Sequence, residues 1–144
     1  MSKEKAITSF KGEYAFLSNF YEHPIKYRGK VWPSSEHAYQ AMKTLDKDEQ
    51  EKVRQKRTPG QSKRAGQKVT LREDWEDVKV EFMHEILEVK FSDPELLEML
   101  MSTGTARLVE GNHWGDVEWG VCNGSGKNLL GNILMDIREL NRGP

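Results

Sequence analysis

Trp32-Pro33-Ser34-Ser35-Glu36-His37-Ala38-Tyr39-Gln40-Ala41-Met42-Lys43 is the stretch from which the fold is read. A proline followed by two serines signals a helix start, because a serine side chain can accept from the first free amides. The helix so opened runs to about Thr44. On it Glu36, Tyr39, Gln40 and Lys43 fall at i, i+3, i+4 and i+7 and share one face. An acid, a phenol, an amide and an amine on one face have two readings. One is a solvated surface with weak Glu36–Gln40 or Tyr39–Lys43 contacts. The other is a pocket wall, and the aromatic neighbours Phe16-Leu17-Ser18-Asn19-Phe20-Tyr21 and Val31-Trp32 point to it.

Outward from this helix, Pro24 to Trp32 reads as two short strands around an Arg28-Gly29-Lys30 turn. Asp46 to Lys68 is polar and reads as connecting structure, with one short helix after Pro59, around Ser62 to Val69. Gly66 is costly in that helix unless something packs closely against it. Asp74 is placed to cap a longer helix with Trp75, Val78, Phe82, Met83, Ile86 and Leu87 on one face. Asp93-Pro94 opens the next, faced by Leu96, Leu97, Leu100 and Met101 and stopped at Gly104. Arg107 to Glu110 and Val117 to Val121 are strand candidates. Asn128 to Leu140 is the last helix, with Leu130, Ile133, Leu134 and Ile137 inward. The expected fold is a helix-rich α+β domain with a few short strands, one domain over residues 1–144.

Composition narrows the function. Charged residues make up 31% and apolar residues 36%, and the net charge is -1. That disfavours a molecule held to nucleic acid by overall charge and leaves room for a local patch. Cys122 is the single cysteine, so no internal disulfide forms and a cytoplasmic setting is expected. Met1-Ser2-Lys3-Glu4-Lys5 lacks the apolar run of a signal peptide, and no window approaches the ~20 apolar residues of a membrane span. His23, His37, His84 and His113 show no metal-ligand spacing, and no G-x-S-x-G elbow is present.

Three further segments carry signals. Lys52 to Arg72 holds eight lysines and arginines and no acids, which reads as a solvated basic surface or as a rim facing phosphates. Glu110-Gly111-Asn112-His113-Trp114-Gly115-Asp116-Val117-Glu118-Trp119-Gly120 combines glycines, indoles and acids, either as a turn-rich loop or as a ligand platform. Gly124-Ser125-Gly126-Lys127-Asn128 precedes a helix whose first amides could hold an anion.

Taken together the motifs resemble the NADAR (YbiA-like) family. Phe16 to Phe20, Tyr27-Arg28-Gly29 and Trp32 to Lys43 are similar to its N-terminal signature. Leu71 to Trp75 with Val89-Lys90-Phe91 matches its middle. Leu108 to Asn112, Trp114, Asp116, Trp119-Gly120, Gly126 to Gly131, Leu134-Met135 and Ile137-Arg138 match its C-terminal signature. The resemblance implies an N-glycosidase without metal or cofactor. Its substrates are implied to be phosphoribosylamino-pyrimidine intermediates of riboflavin biosynthesis or ADP-ribose on guanine in nucleic acid. Both join ribose C1 to an exocyclic amino nitrogen. Lys43 is then implied as nucleophile, Glu36 as proton shuttle, and Asp116 as a second carboxylate or a holder of ribose hydroxyls. Asn19, Phe20, Gln40, Trp75, Trp119 and Asn128 form the implied substrate-binding set. A non-catalytic module that holds ADP-ribose or a nucleotide is the competing expectation. No membrane partner is expected, and the sequence names no protein partner.

Overall fold

Cap and turn residues interrupt every apolar run in this chain, so its elements are short. The computed structural model describes residues 5–142. In chain order these form β1 (Ala6–Ile7), a 3-10 helix (Gly12–Leu17), β2 (Ile25–Tyr27), β3 (Lys30–Trp32), α1 (Ser35–Ala41), α2 (Lys47–Arg54) and α3 (Pro59–Gly66). Then come α4 (Trp75–Lys90), α5 (Pro94–Met101), β4 (Arg107–Leu108), β5 (Gly111–Asn112), β6 (Val121–Cys122) and α6 (Leu129–Leu140). This is the helix-rich α+β class read from the sequence. The residues group into two compact units: residues 19–90, and the chain up to residue 18 together with the chain from residue 91 onward. Among the described residues no helix is long and apolar enough to cross a membrane.

In the 19–90 unit, β2 and β3 pair antiparallel, with Ile25 opposite Trp32. Arg28 and Gly29 both have positive φ, the conformation whose twist suits a two-residue hairpin. Tyr27 donates to Glu85 Oε1 of α4 at 2.7 Å, and burial pushes its phenol up to about 12. α4 buries Trp75, Phe82, Met83, Ile86 and Leu87 as its spacing predicts. Val78 is only half-buried, whereas Lys79 and Lys90 occupy the buried stripe. α1 starts at its Ser34 cap, which accepts from the His37 amide at 3.3 Å; such a cap contributes about 1 kcal/mol.

α1 ends at Ala41, short of the expected Thr44. The Thr44 hydroxyl instead donates to Glu49 and accepts from the Asp46 amide, which launches α2. That helix lies inside the stretch read as connecting structure. Its Asp46 cap accepts from the Glu49 amide at 3.0 Å, but only Val53 is buried along it, so apolar periodicity is nearly absent. α3 starts at Pro59, earlier than Ser62, because Thr58 caps it and proline suits the first position.

In the other unit, β1 pairs parallel with β4 and β5 pairs parallel with β6. The strand expected over Val117 to Val121 is confined to β6. The carbonyls of residues 117–120 turn instead to the amides of residues 127–130 at the start of α6. The strand expected from Arg107 to Glu110 is likewise only Arg107–Leu108. Asp93 caps α5 by accepting from the Leu96 amide, and Leu96 and Leu100 are buried. α6 buries Leu130, Ile133, Leu134 and Ile137, as its spacing predicts.

Candidate functional site

Every residue of α1 is buried, which excludes the solvated reading of its polar face. A polar helix can be buried only if its groups find partners. Asn19 braces its start: Oδ1 accepts from Ser35 Oγ at 2.9 Å, and the Asn19 carbonyl accepts from the Glu36 amide at 3.2 Å. His37 is held between Ser34 Oγ at 2.7 Å and the Lys56 carbonyl at 2.9 Å, and burial pushes its pKa below the ordinary value. Glu36 is 6% exposed, and its Oε2 accepts from Gln40 Nε2 at 2.6 Å.

The other end of the Gln40 amide explains Gly66. Gln40 Oε1 is buried without a hydrogen-bond partner among the described residues. It packs onto the backbone of α3, where a Cβ on Gly66 would lie 2.0 Å from Oε1 and 2.9 Å from Gln40 Cβ. Only glycine permits that approach, and the approach keeps the amide nitrogen aimed at Glu36.

Lys43 follows one turn after Gln40 and is half-buried. Burial lowers its pKa first, the Glu36 carboxylate acts in the opposite sense, and Lys63 and Lys79 push it down further. Lys43 forms no ion pair among the described residues. Desolvation and neighbouring cations both favour the neutral amine. Trp75 is 5% exposed, with its ring 5.2 Å from that of Tyr39 and 6.3 Å from that of Phe82. Phe20 is 45% exposed, and Lys63 Nζ stands 5.9 Å from its ring centre. Asn19, Glu36, Gln40 and Lys43 are thus directly linked. Phe20 joins them through Lys63, and Trp75 joins through Tyr39. A buried carboxylate beside an amine that favours its neutral form can exchange protons and attack an electrophilic carbon.

Lys63 and Lys79 were not recognised as members of this group. Lys79 sits one turn after Trp75 on the buried face of α4, a position that offered a signal. Lys63 and Gly66 lie three apart on α3, so the packed glycine marks the side of the helix that Lys63 shares.

In the other unit, Asp116 is half-buried and its Oδ1 accepts from the amides of Glu118 and Trp119 at 3.1 and 2.9 Å. Asn112 clamps the Asp116 backbone from both ends of its amide. Trp119 is half-buried. Asn128 accepts from the Glu110 amide and donates to the Leu108 carbonyl, so its side chain ties the loop to α6. Gly120 is packed against Glu110, where a Cβ would meet the Glu110 carbonyl oxygen at 2.2 Å. The close approach in this motif is internal. The anion site expected before α6 is not formed, because the amides of residues 127–130 are already committed to carbonyls. Among the described residues no cluster of three His, Cys, Asp or Glu side chains could hold a metal.

A model of the NADAR domain matches residues 7–141. The N-glycosidase YbiA of Escherichia coli is 42% identical over 135 residues, covering 91% of this chain and 84% of that protein. A riboflavin biosynthesis protein of Vibrio vulnificus is 41% identical over 133 residues, covering 88% of this chain and 35% of that longer protein. The NMR structure of E. coli YbiA superposes with a TM-score of 0.84 at 38% identity, covering 96% of this chain and 86% of that one.

Proposed function

The chain belongs to the NADAR domain family, whose curated relatives include N-glycosidases, and from that premise we propose that it hydrolyses the bond between ribose C1 and an exocyclic amino nitrogen. One observation carries the reading: Lys43 is a half-buried amine with a lowered pKa, two residues past the end of the helix that buries Glu36. A glycosylamine opens its ribose ring to an imine at C1. The Lys43 amine adds to C1 and passes one proton to the base nitrogen, Glu36 gives it a second so that the base leaves as its free amine, and a protonated Lys43–sugar imine remains. Water adds to that imine, Lys43 is expelled, and the sugar closes as free ribose phosphate while Glu36 recovers its proton.

Asn19 and Gln40 hold α1 and Glu36 in register, and the exposed ring of Phe20 offers a stacking face. Trp75 walls the amine from water. Within the other unit, Asp116 uses Oδ1 on the Glu118 and Trp119 amides and leaves Oδ2 to accept from hydroxyls, with Trp119 and Asn128 shaping its loop. A single domain over residues 1–144 suits a family model that runs across both units. A lone buried thiol at Cys122 suits the cytoplasm.

The favoured substrates are phosphoribosylamino-pyrimidine intermediates of riboflavin biosynthesis, in line with the name of the Vibrio relative. ADP-ribose on guanine in nucleic acid is the second reading, supported by the exposed bases of α2 and α3. Product analysis with both substrates tests the reading. Release of free base together with ribose phosphate or ADP-ribose is expected from one of them. A folded protein that binds either substrate and releases nothing is a binding module.

A further inference from the structure

The basic stretch divides between two sides of α3. Lys63 lies with Gly66 on the side that meets α1, where it acts on Lys43. The remaining cations behave differently. A groove of about 710 Å³ between α2 and α3 is lined by Glu49, Lys52, Val53 and Lys56 on one wall. Gln61, Arg64, Ala65 and Lys68, followed by Val69, line the other. Glu49, Lys52 and Val53 share one face of α2, Gln61, Arg64 and Ala65 share one face of α3, and Lys56 and Lys68 follow just past the two helix ends. On each wall the two cations flank a small or apolar residue, with buried Val53 in one wall and Ala65 in the other.

The charge on these walls is only partly compensated: four cations share the groove with one carboxylate, Glu49. Lys52, Lys56, Arg64 and Lys68 are polar neighbours of one groove, and none forms an ion pair among the described residues. Nearby bases off the groove do pair, as Arg54 does with Glu51 and Arg72 with Asp74. The one acid of the lining, Glu49, accepts from Thr44 Oγ1, the Thr70 amide and Thr70 Oγ1, so its oxygens are engaged by neutral donors while its negative charge stays in the groove. Those bonds, led by the Thr70 amide, hold its carboxyl below the ordinary range. Gln61 Oε1 accepts from the Arg57 amide, so its amide nitrogen is the end left to donate. Four cations against one carboxylate leave the groove with a net positive charge, which favours an entering anion.

We propose that the α2–α3 groove is a binding site for a chain of phosphates, held by Lys52, Lys56, Arg64 and Lys68 and separate from the Glu36–Lys43 site. The same chemistry is presented by a nucleic-acid strand and by a free polyphosphate. The inference does not rest on the glycosidase reading, since binding is read without turnover.

The test is fluorescence anisotropy of a labelled oligothymidylate of about 12 nucleotides, with calorimetry of inorganic tripolyphosphate as the second arm. Both are run on the wild type, on a Lys52→Gln/Lys56→Gln/Arg64→Gln/Lys68→Gln variant, and on a Lys11→Gln/Lys26→Gln control of equally exposed lysines. Circular dichroism checks the fold. At least about tenfold weaker binding is expected in the groove variant and near wild-type binding in the control. For the strand, log affinity should fall with log salt by about 0.7 per phosphate held, and the groove variant should flatten that slope. Binding of the strand identifies nucleic acid as the source; binding of tripolyphosphate alone identifies a small polyphosphate. The proposal is overturned if the wild type binds neither probe. It is equally overturned if the groove variant binds like the wild type, or if the control loses as much as the groove variant.

Discussion

α1 and the facing stripes of α2 and α3 carry similar chemistry at the same helical spacing, and the fold treats them in opposite ways. α1 is buried from Ser35 to Ala41 and gives most of its polar groups internal partners. The cations of the α2–α3 groove stay exposed and unpaired by any acid. An amine at the edge of the dry helix has its pKa lowered by burial. The same amine on the groove stays exposed to solvent. Polarity in sequence therefore says little about chemistry until packing decides which polar face is dry.

The sharpest way to break the contrast is at Glu36. Glu36→Gln keeps the shape and the Gln40 contact but removes the proton exchange. Turnover should fall by about 10²–10⁴-fold with the melting temperature nearly unchanged. A folded variant with near-normal kcat would make Glu36 a packing residue.

Next in size is the packing that holds the dry face together. Gly66→Ala drives a methyl into Gln40 and should destabilise the protein by about 1–3 kcal/mol in chemical denaturation. Gly60, in the same helix, has only ordinary space beside Phe20, so Gly60→Ala should be nearly neutral. Equal losses at both glycines would show that the Gln40 contact does not set the cost, since helix propensity alone favours alanine at either position.

That contrast also shows what could be read in advance. The faces of α4, α5 and α6 were legible because large apolar residues recur at helical spacing. α2 was not, because its stability comes from the Asp46 cap and the single buried Val53. The residues Glu36, Gln40 and Lys43 were visible as one face, but their burial depends on Asn19, Met83 and Gly66, which are distant in sequence. Lys79 is not among the residues singled out in the sequence and Lys90 enters only through the Val89-Lys90-Phe91 resemblance, because lysine in a stripe is ordinarily its wet margin, yet Lys90 is 1% exposed and burial lowers it to about 7. Glu110 to Gly120 reads by composition as a turn-rich loop or as a ligand platform, and its hydrogen bonds are largely internal.

A smaller effect is expected from tuning the amine. Lys63 is one of the two cations that push the Lys43 pKa down. The reactive form is neutral, so kcat should rise with pH through the Lys43 pKa. Lys63→Gln should move that rise to higher pH and slow turnover at neutral pH. A shift to lower pH would mean that Lys63 acts on substrate and not on Lys43. The smallest effect is on stability at the groove. Neutralising Lys52 and Lys68 should change unfolding free energy by less than about 0.5 kcal/mol, because both are exposed and neither breaks a pair. A larger loss would mean that these lysines support the packing of α2 on α3.

The role of Lys43 is tested most directly by trapping. Borohydride added during turnover reduces an imine between Lys43 and the opened sugar to a stable amine. Mass spectrometry of the digest should then find a sugar phosphate on the peptide carrying Lys43 and on no groove lysine. Lys43→Arg retains the charge but offers no free amine, so it should bind substrate, fail to turn over and yield no adduct. Near-normal hydrolysis by Lys43→Arg, with no adduct on the wild type, would contradict amine catalysis and leave direct attack by water at C1.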